Sequence, residues 1–346
     1  MLSFDILPGG IASMLLNSTK VYTFEGWDLD VAVAKKAHIF SSLYGLSQSY
    51  SNLSLLGLNK IQRMLLLSGL NLFLFLLPFL RNYNLIIVHN ARLIKPLTKL
   101  FPDIPVVAFN HTGKAKQIDS FTHAYHSFTV NKVIAGKINK KKGNKKHTTC
   151  IPNAIFNLSK YKTSYSSRRP LIVGSLGRFV SKKGFDILIK ACSNIKHIEL
   201  YLGGDGPLKD GFQIMQNNIC PHLHLLGWID DLDNFFSKID IFCLPSKFEP
   251  FGLVLIEAMS RGIPVISTSC DGPKEIISQG IDGILVPIGN IEAMTNSISQ
   301  LVNNVNDRKR LGKNAREKII KQYTFNTYSR KLLSSSRKVI ESYEKE

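Results

Sequence analysis

The chain has 346 residues, 44% of them hydrophobic, with a mean hydropathy of +0.02. That is enough for two ordinary domains with large cores, and it speaks against disorder. Its net charge of +19 is uneven: residues 1–165 hold 20 Lys and Arg against 6 Asp and Glu, the remainder 24 against 19. A basic half implies an anionic partner (nucleic acid, an acidic membrane surface or a phosphorylated substrate) unless it is only a solubilising face. The five cysteines, at 150, 192, 220, 243 and 270, are odd in number and form no Cys-x-x-Cys pair. They point to buried free thiols in a reducing compartment and exclude a disulfide framework.

No basic stretch followed by a long apolar run opens the chain, so no signal peptide is expected. "LPGG" at 7–10 opens a helix with Ala12, Leu15, Leu16 and Thr19 on one face, closed by Glu25-Gly26. "DLDVAVA" (28–34) reads as a strand. The apolar run Met64 to Leu80 is interrupted by Ser68, Gly69, Asn71 and Pro78 and has 17 residues. A membrane span needs about 20; a buried or interface-lying helix is expected instead. "LIIVHN" (85–90) and "IPVVAFNH" (104–111) have the continuous β-branched character of buried parallel strands. "KINKKKGNKK" (137–146) reads as a basic surface loop and "HTTCIPNA" (147–154) as another strand with its exit.

The polar, Ser-rich segment 157–170 ends in Pro and reads as a linker. A second set follows: strand 171–178, helix 184–195, strand 198–207, strands "LHLLGWI" and "IDIFCLPS", helix "GLVLIEAMSRG", strands 263–268 and 283–287, then two charged helices. Two successive strand–helix sets predict an α/β protein of two doubly wound domains facing a cleft. The expected boundaries are 1–160 and 166–326, with the last helix, 327–346, packing back on the first domain. Ligands bind such sheets at the carboxyl ends of the strands. Functional residues are therefore expected in post-strand turns.

"KFEPFGLVLIEAM" (247–259) is such a turn running into a helix. Its glutamates, Glu249 and Glu257, are eight residues apart. Were both helical they would be separated by about 12 Å of rise and lie off one face; Pro250 keeps Glu249 outside the helix. Hydrolytic carboxyl pairs stand about 5–9.5 Å apart across one bond. The spacing suits two carboxylates gripping different hydroxyls of an extended ligand, while the amides of Gly252 and Leu253 start a helix that favours an anion. The bland reading makes Glu249 a helix-start charge and Glu257 part of a solvated face. "GRFVSKKG" (177–184) places Arg178 and Lys183 on one post-strand loop, where two cations can clamp a diphosphate. "GGDGP" (203–207), "GWID" (227–230) and "PGG" (8–10) are further glycine turns, none matching a dinucleotide fingerprint. His111 ends a strand and can hydrogen-bond a sugar hydroxyl or remain a satisfied polar residue. His123 with His126, and His222 with His224, lack zinc spacing, and the two "DLD" runs sit at a strand start and a helix cap. No metal is expected.

Taken in order, "GSLGRFVSKKGFDILIKA", "LYLGGDGP", "LHLLGWIDDLDNFFSKIDIFCLPSKFEPFGLVLIEAMSRGIPVISTSCDGPKEII" and "GIDGILVP" resemble the retaining GT-B glycosyltransferases of family 4. The resemblance is strong over about 170–290. It is looser at the Gly9-Gly10 loop, "GWDLDVAVAKK" and "VVAFNH". It implies that Glu249 contacts the donor sugar and Glu257 the ribose. Arg178 and Lys183 would neutralise the diphosphate leaving group in place of a metal. Phe251, Gly252 and Leu253 would bring their amides to the sugar and phosphates, and Trp228 and Ile229 would hold the base. His111 and Gly10 would face the donor from the N-terminal domain. One departure is plain: only "MLSFDIL" precedes "PGG", so the first strand is expected to be nearly absent.

The implied activity is a retaining, metal-independent hexosyltransferase using a nucleotide-diphosphate sugar as co-substrate, with no other cofactor. The sugar would be mannose or another hexose, and the acceptor anionic and lipid-linked or a lipopolysaccharide core. The basic domain and the apolar segment would then dock peripherally on the anionic inner face of a bacterial inner membrane. A non-hydrolysing nucleotide-sugar epimerase of the same architecture is the nearest rival, though the E-P-F-G-x4-E run is not expected in one. A nucleic-acid binder would want aromatics among its lysines, which "KINKKKGNKK" lacks; no nucleic-acid partner is expected.

Overall fold

The computed structural model describes residues 1–3, 10–68, 83–143, 147–156, 158, 161, 162, 165 and 170–346. The chain divides into two compact units, 1–153 with 326–346, and 154–325. Each is built on a wholly parallel sheet.

The first unit's strands are β1 (Leu2–Ser3), β2 (Leu29–Ala34), β3 (Leu53–Leu58), β4 (Ile86–Val88), β5 (Val106–Asn110), β6 (His126–Thr129) and β7 (Thr148–Cys150), in the order β3-β2-β1-β4-β5-β6-β7. All five residues of β5 are buried, as a strand covered on both faces requires. The expectation of a nearly absent first strand falls partly on residues 4–9, outside the described residues; Leu2–Ser3 is central. Leu2 pairs with Ala32 of β2 and with Val88 of β4.

Helix Gly10–Phe24 buries Met14, Leu15, Ser18, Thr19, Val21 and Tyr22. Its inward face is rotated from the expected one, since Ala12 and Leu16 are only half-buried. The reason is the last helix, Phe325–Tyr343. Its Tyr328 hydroxyl lies 2.8 Å from Ser18 Oγ, and Tyr22 hydroxyl lies 2.6 Å from Ser336 Oγ. Ser18 and Thr19 also donate to the carbonyls of Met14 and Leu15.

Two expectations need correction. Residues 137–141 are not loop but the end of helix Lys132–Lys141. Asn131 caps it by accepting from the Ile134 amide, and Ile134 and Ile138 bury an i, i+4 stripe beneath the lysines. Three helices, not two, close the chain: Ile291–Asn303, Val305–Gln322 and Phe325–Tyr343. The segment 64–80 runs from helix Lys60–Ser68 beyond the described residues. Among the described residues no helix is long and apolar enough to cross a membrane.

The second unit holds β8 (Leu171–Leu176), β9 (Ile198–Gly203), β10 (Leu223–Gly227), β11 (Ile241–Leu244), β12 (Val265–Thr268) and β13 (Ile284–Val286), ordered β10-β9-β8-β11-β12-β13. The described residues of 157–170 are tied to this unit. Lys162 Nζ lies 2.8 Å from Asp240 Oδ1, the Tyr165 hydroxyl donates to Gly262 O at 2.7 Å, and Arg316 stacks over the Tyr161 ring. Order reverses between β8 and β11, which is where such a sheet opens a ligand crevice at the strand carboxyl ends.

Helix 305–322 approaches helix Leu253–Ser260 closely enough that a Cβ on Gly312 would stand 2.0 Å from Gly262 O. Gly312→Ala gains up to about 1 kcal/mol of helix propensity. Overpacking costs about 1–3 kcal/mol and should win. The expected outcome is a thermal midpoint for this unit lowered by about 2–8 °C, read by calorimetry.

Candidate active site

The site of the second unit is assembled from the loops that follow β8, β9, β11 and β12. Backbone bonds join them in series. Gly204 N donates to Gly227 O at 2.6 Å, Gly177 N to Gly203 O at 3.0 Å and Phe179 N to Asp205 O at 2.8 Å. Lys247 N donates to Lys182 O at 2.8 Å, and Gly272 N to Glu249 O at 3.0 Å. The glycines permit this crowding. Gly184 has φ +67°, and a Cβ there would stand 2.1 Å from Pro245 O; at Gly272 it would stand 2.4 Å from Phe251 Cα.

Lys183 ends a short 3₁₀ turn, Ser181–Lys183, and the left-handed Gly184 turns the chain into helix Phe185–Cys192. This aims Lys183 at the next loop, where its Nζ meets Glu249 Oε2 at 2.7 Å. Ser246 Oγ holds the same carboxylate oxygen at 3.3 Å. Lys183 and Glu249, 66 residues apart, are thus one ion pair with side chains only 19% and 11% exposed. Arg178, on the same loop as Lys183, is exposed. Beside the pair, Gly252 at φ 103° is the N-cap of helix Leu253–Ser260, and Phe251 is buried beneath the turn. No capping side chain takes the first amides of this helix, so its positive end is left for an anion.

Glu257 lies one turn inside that helix, half-buried. Burial raises its carboxyl pKa, and Arg261 partly offsets this. Arg261 is itself drawn to Asp233 Oδ1, at 2.5 and 3.1 Å, and to the Glu257 carbonyl at 2.9 Å. Among the described residues no hydrogen-bond partner engages the Glu257 carboxylate. A half-buried acceptor with open lone pairs suits a vicinal diol better than a structural role.

Trp228 and Ile229 follow β10. Ile229 covers Gly203, where a Cβ would meet its Cγ1 at 2.6 Å, and the Trp228 ring is exposed. They line an open cavity of about 240 Å³ with Asp230, Asp231, Phe235 and Lys238. That volume is below the roughly 300–1,000 Å³ of whole-ligand pockets. Asp231 is the cap of helix Leu232–Lys238, accepting from Asn234 N.

In the first unit, Gly10 begins helix 10–24, while Pro8 and Gly9 lie outside the described residues. His111 follows β5. Its ring stacks on Phe109 and His89, and its Nε2 lies 2.9 Å from His89 Nδ1. Burial lowers its pKa to about 3, so it is a neutral imidazole. Sequence reasoning missed His89, Ser246 and Gly272. Gly272 was within reach, since "CDGP" is one more glycine turn after a strand; the other two carry no local signal.

Two doubly wound parallel sheets in one chain, with glycine turns converging at strand carboxyl ends, define the GT-B fold. HepE of Anabaena, solved in complex with UDP and glucose, superposes at a TM-score of 0.80 over 97% of this chain and 98% of that one, at 18% identity. Residues 160–318 match the model of the family described as glycosyl transferases group 1. The second unit is a domain of that family. Two relatives in Rhizobium meliloti are lipopolysaccharide core biosynthesis glycosyltransferases. LpsE is 34% identical over 155 residues, 44% of this chain and 46% of the relative; LpsD is 30% identical over 142 residues, 40% and 41%. The matched stretch thus spans less than half the length of these curated relatives.

The raised carboxyl of Glu257 gives a signed prediction. Its folded pKa exceeds its unfolded value, so its stability contribution is full below the ordinary carboxylate range and is lost as pH rises through the raised value. Glu257→Gln should match the wild type in denaturant midpoint below the ordinary carboxylate range and exceed it above that range, the difference levelling off once the pH has passed the raised value.

Proposed function

We propose that the protein is a retaining, metal-independent hexosyltransferase that moves mannose or another hexose from a nucleotide-diphosphate donor to a lipid-linked or lipopolysaccharide-core acceptor. The observation that carries this reading is the Lys183–Glu249 pair beside the uncapped helix start at Gly252. A cation, a carboxylate and a positive helix end there match the diphosphate and the sugar hydroxyls of one donor. Relatives named for lipopolysaccharide core synthesis support the acceptor class.

In this reading the bond between the anomeric carbon and the diphosphate oxygen breaks through an oxocarbenium-like state. Negative charge grows on the phosphate oxygens. Lys183, the exposed Arg178 and the helix start stabilise it there. Glu249 holds sugar hydroxyls, Glu257 the ribose diol, and Trp228 and Ile229 the base. The acceptor hydroxyl attacks from the face the diphosphate leaves, and the departing phosphate takes its proton. No protein nucleophile is required, and the positions of Glu249 on the turn and Glu257 inside the helix leave neither in that role.

The acceptor reading rests on the first unit. Helix 60–68 exposes Ile61 and Met64 next to Lys60 and Arg63, and leads into the apolar run to Leu80. Apolar side chains flanked by cations suit peripheral docking on the anionic inner face of a bacterial inner membrane.

Lys183→Ala should reduce release of nucleoside diphosphate from the active donor by about 10²–10³-fold while the circular dichroism spectrum is unchanged; full turnover in a folded variant would contradict the assignment. Glu257→Ala should raise the donor KM about tenfold or more, as loss of a charge-assisted hydrogen bond requires, and a pure kcat defect would count against a ribose anchor. In flotation assays the protein should rise with vesicles containing anionic lipid and not with neutral ones; equal recovery in both refutes the electrostatic part.

A further inference from the structure

His89 and His111 come from adjacent strands. His89 lies one residue past Val88, which pairs with Ala108 of β5, and both follow strand ends, where the sheet presents its ligands. The rings are nearly parallel, with centroids 5.1 Å apart, and Phe109 is stacked against both. They share a hydrogen bond between His89 Nδ1 and His111 Nε2, at 2.9 Å. The other nitrogens, His89 Nε2 and His111 Nδ1, are buried and without a hydrogen-bond partner among the described residues.

Burial lowers the pKa of both rings, and that of His89 is lowered further by His111 and the amino terminus. The pair is therefore neutral and carries two ring N–H hydrogens. One lies in the shared bond. If His89 donates, His111 must carry its hydrogen on Nδ1, and His89 Nε2 is bare. If His111 donates, its Nδ1 is bare and His89 Nε2 carries the hydrogen. The tautomer of one ring fixes that of the other, and so fixes whether His111 offers a donor or an acceptor.

We propose that His89 is a positioning residue for His111: the hydrogen bond between the two imidazoles holds the ring of His111 and couples its tautomer to that of His89, leaving Nδ1 as the nitrogen for a sugar hydroxyl. The inference rests on the glycosyltransferase reading and goes beyond it in assigning His89. The competing explanation is packing, because His89 also stacks on Phe109 with centroids 5.5 Å apart.

Two substitutions separate these. His89→Phe keeps the aromatic stack and removes both nitrogens. His89→Asn keeps an amide near the Nδ1 position and loses the stack. Nucleoside diphosphate release from the active sugar donor is measured for both, beside wild type and Lys183→Ala, with thermal unfolding as the check on folding. His89→Phe should lower kcat about tenfold, the equivalent of one hydrogen bond, with the donor KM within about twofold of wild type. His89→Asn should stay within about threefold of wild-type kcat. Nitrogen-15 imidazole spectra should show the tautomers of His89 and His111 matched in wild type and the His111 tautomer populations changed in His89→Phe. Wild-type kcat and unchanged His111 tautomer populations in His89→Phe, or equal loss in both variants, overturns the assignment. If Lys183→Ala is inactive in that case, the glycosyltransferase reading survives; if wild type turns over no donor at all, the reading falls and the assignment with it.

Discussion

Everything at the candidate site of the second unit depends on how closely two loops approach each other. The loop after β8 lies against the turn after β11, with Gly184 so near the Pro245 carbonyl that a methyl group there would stand 2.1 Å from its oxygen. The Lys247 amide bonds Lys182 O across the same junction. This contact brings Lys183 to Glu249. Strand order makes it available, because β8 and β11 are neighbours in the sheet although 64 residues separate the end of one from the start of the other. A side chain at 184 would separate the cation from the carboxylate and both from the helix start.

That junction explains why the site is electrostatically provisional. Lys183 has a partner in Glu249, and the partner is shared with Ser246. On the proposed reading, an arriving diphosphate would offer Lys183 more charge than one carboxylate does and would free Glu249 for sugar hydroxyls. Glu257, half-buried, is the opposite case: no hydrogen bond engages its carboxylate among the described residues, and Arg261 offsets its burial only in part. Such a group weakens the folded state once it is ionised, a cost that a bound hydroxyl pair would offset on the proposed reading.

Much of this was legible in the sequence, for physical reasons. Parallel strands buried on both faces must be short β-branched runs, so "IPVVAFNH", "IDIFCLPS" and "IPVIST" declared themselves, and glycine turns after strands marked the loops. The E-x7-E run separated into a turn residue and a helix residue by Pro250 alone. What failed was local signal overwhelmed by charge: the lysines at 137, 140 and 141 hid the Ile134–Ile138 stripe and the Asn131 cap of a helix. What could not be read was strand adjacency. His89 ends "LIIVHN" like any polar strand-end residue, and only the pairing of β4 with β5 puts it 2.9 Å from His111. That Leu2–Ser3 lies at the centre of a seven-stranded sheet was equally out of reach.

The central claim is that the β8 and β11 loops together form a diphosphate seat. Its most direct test is a crystal structure of the protein soaked with a nucleoside diphosphate. The account predicts phosphate oxygens within about 3 Å of Lys183 Nζ and of the Gly252 and Leu253 amides, with ribose hydroxyls on the Glu257 carboxylate. A nucleotide bound elsewhere, with the Lys183–Glu249 pair undisturbed and Glu257 still unpartnered, would contradict it.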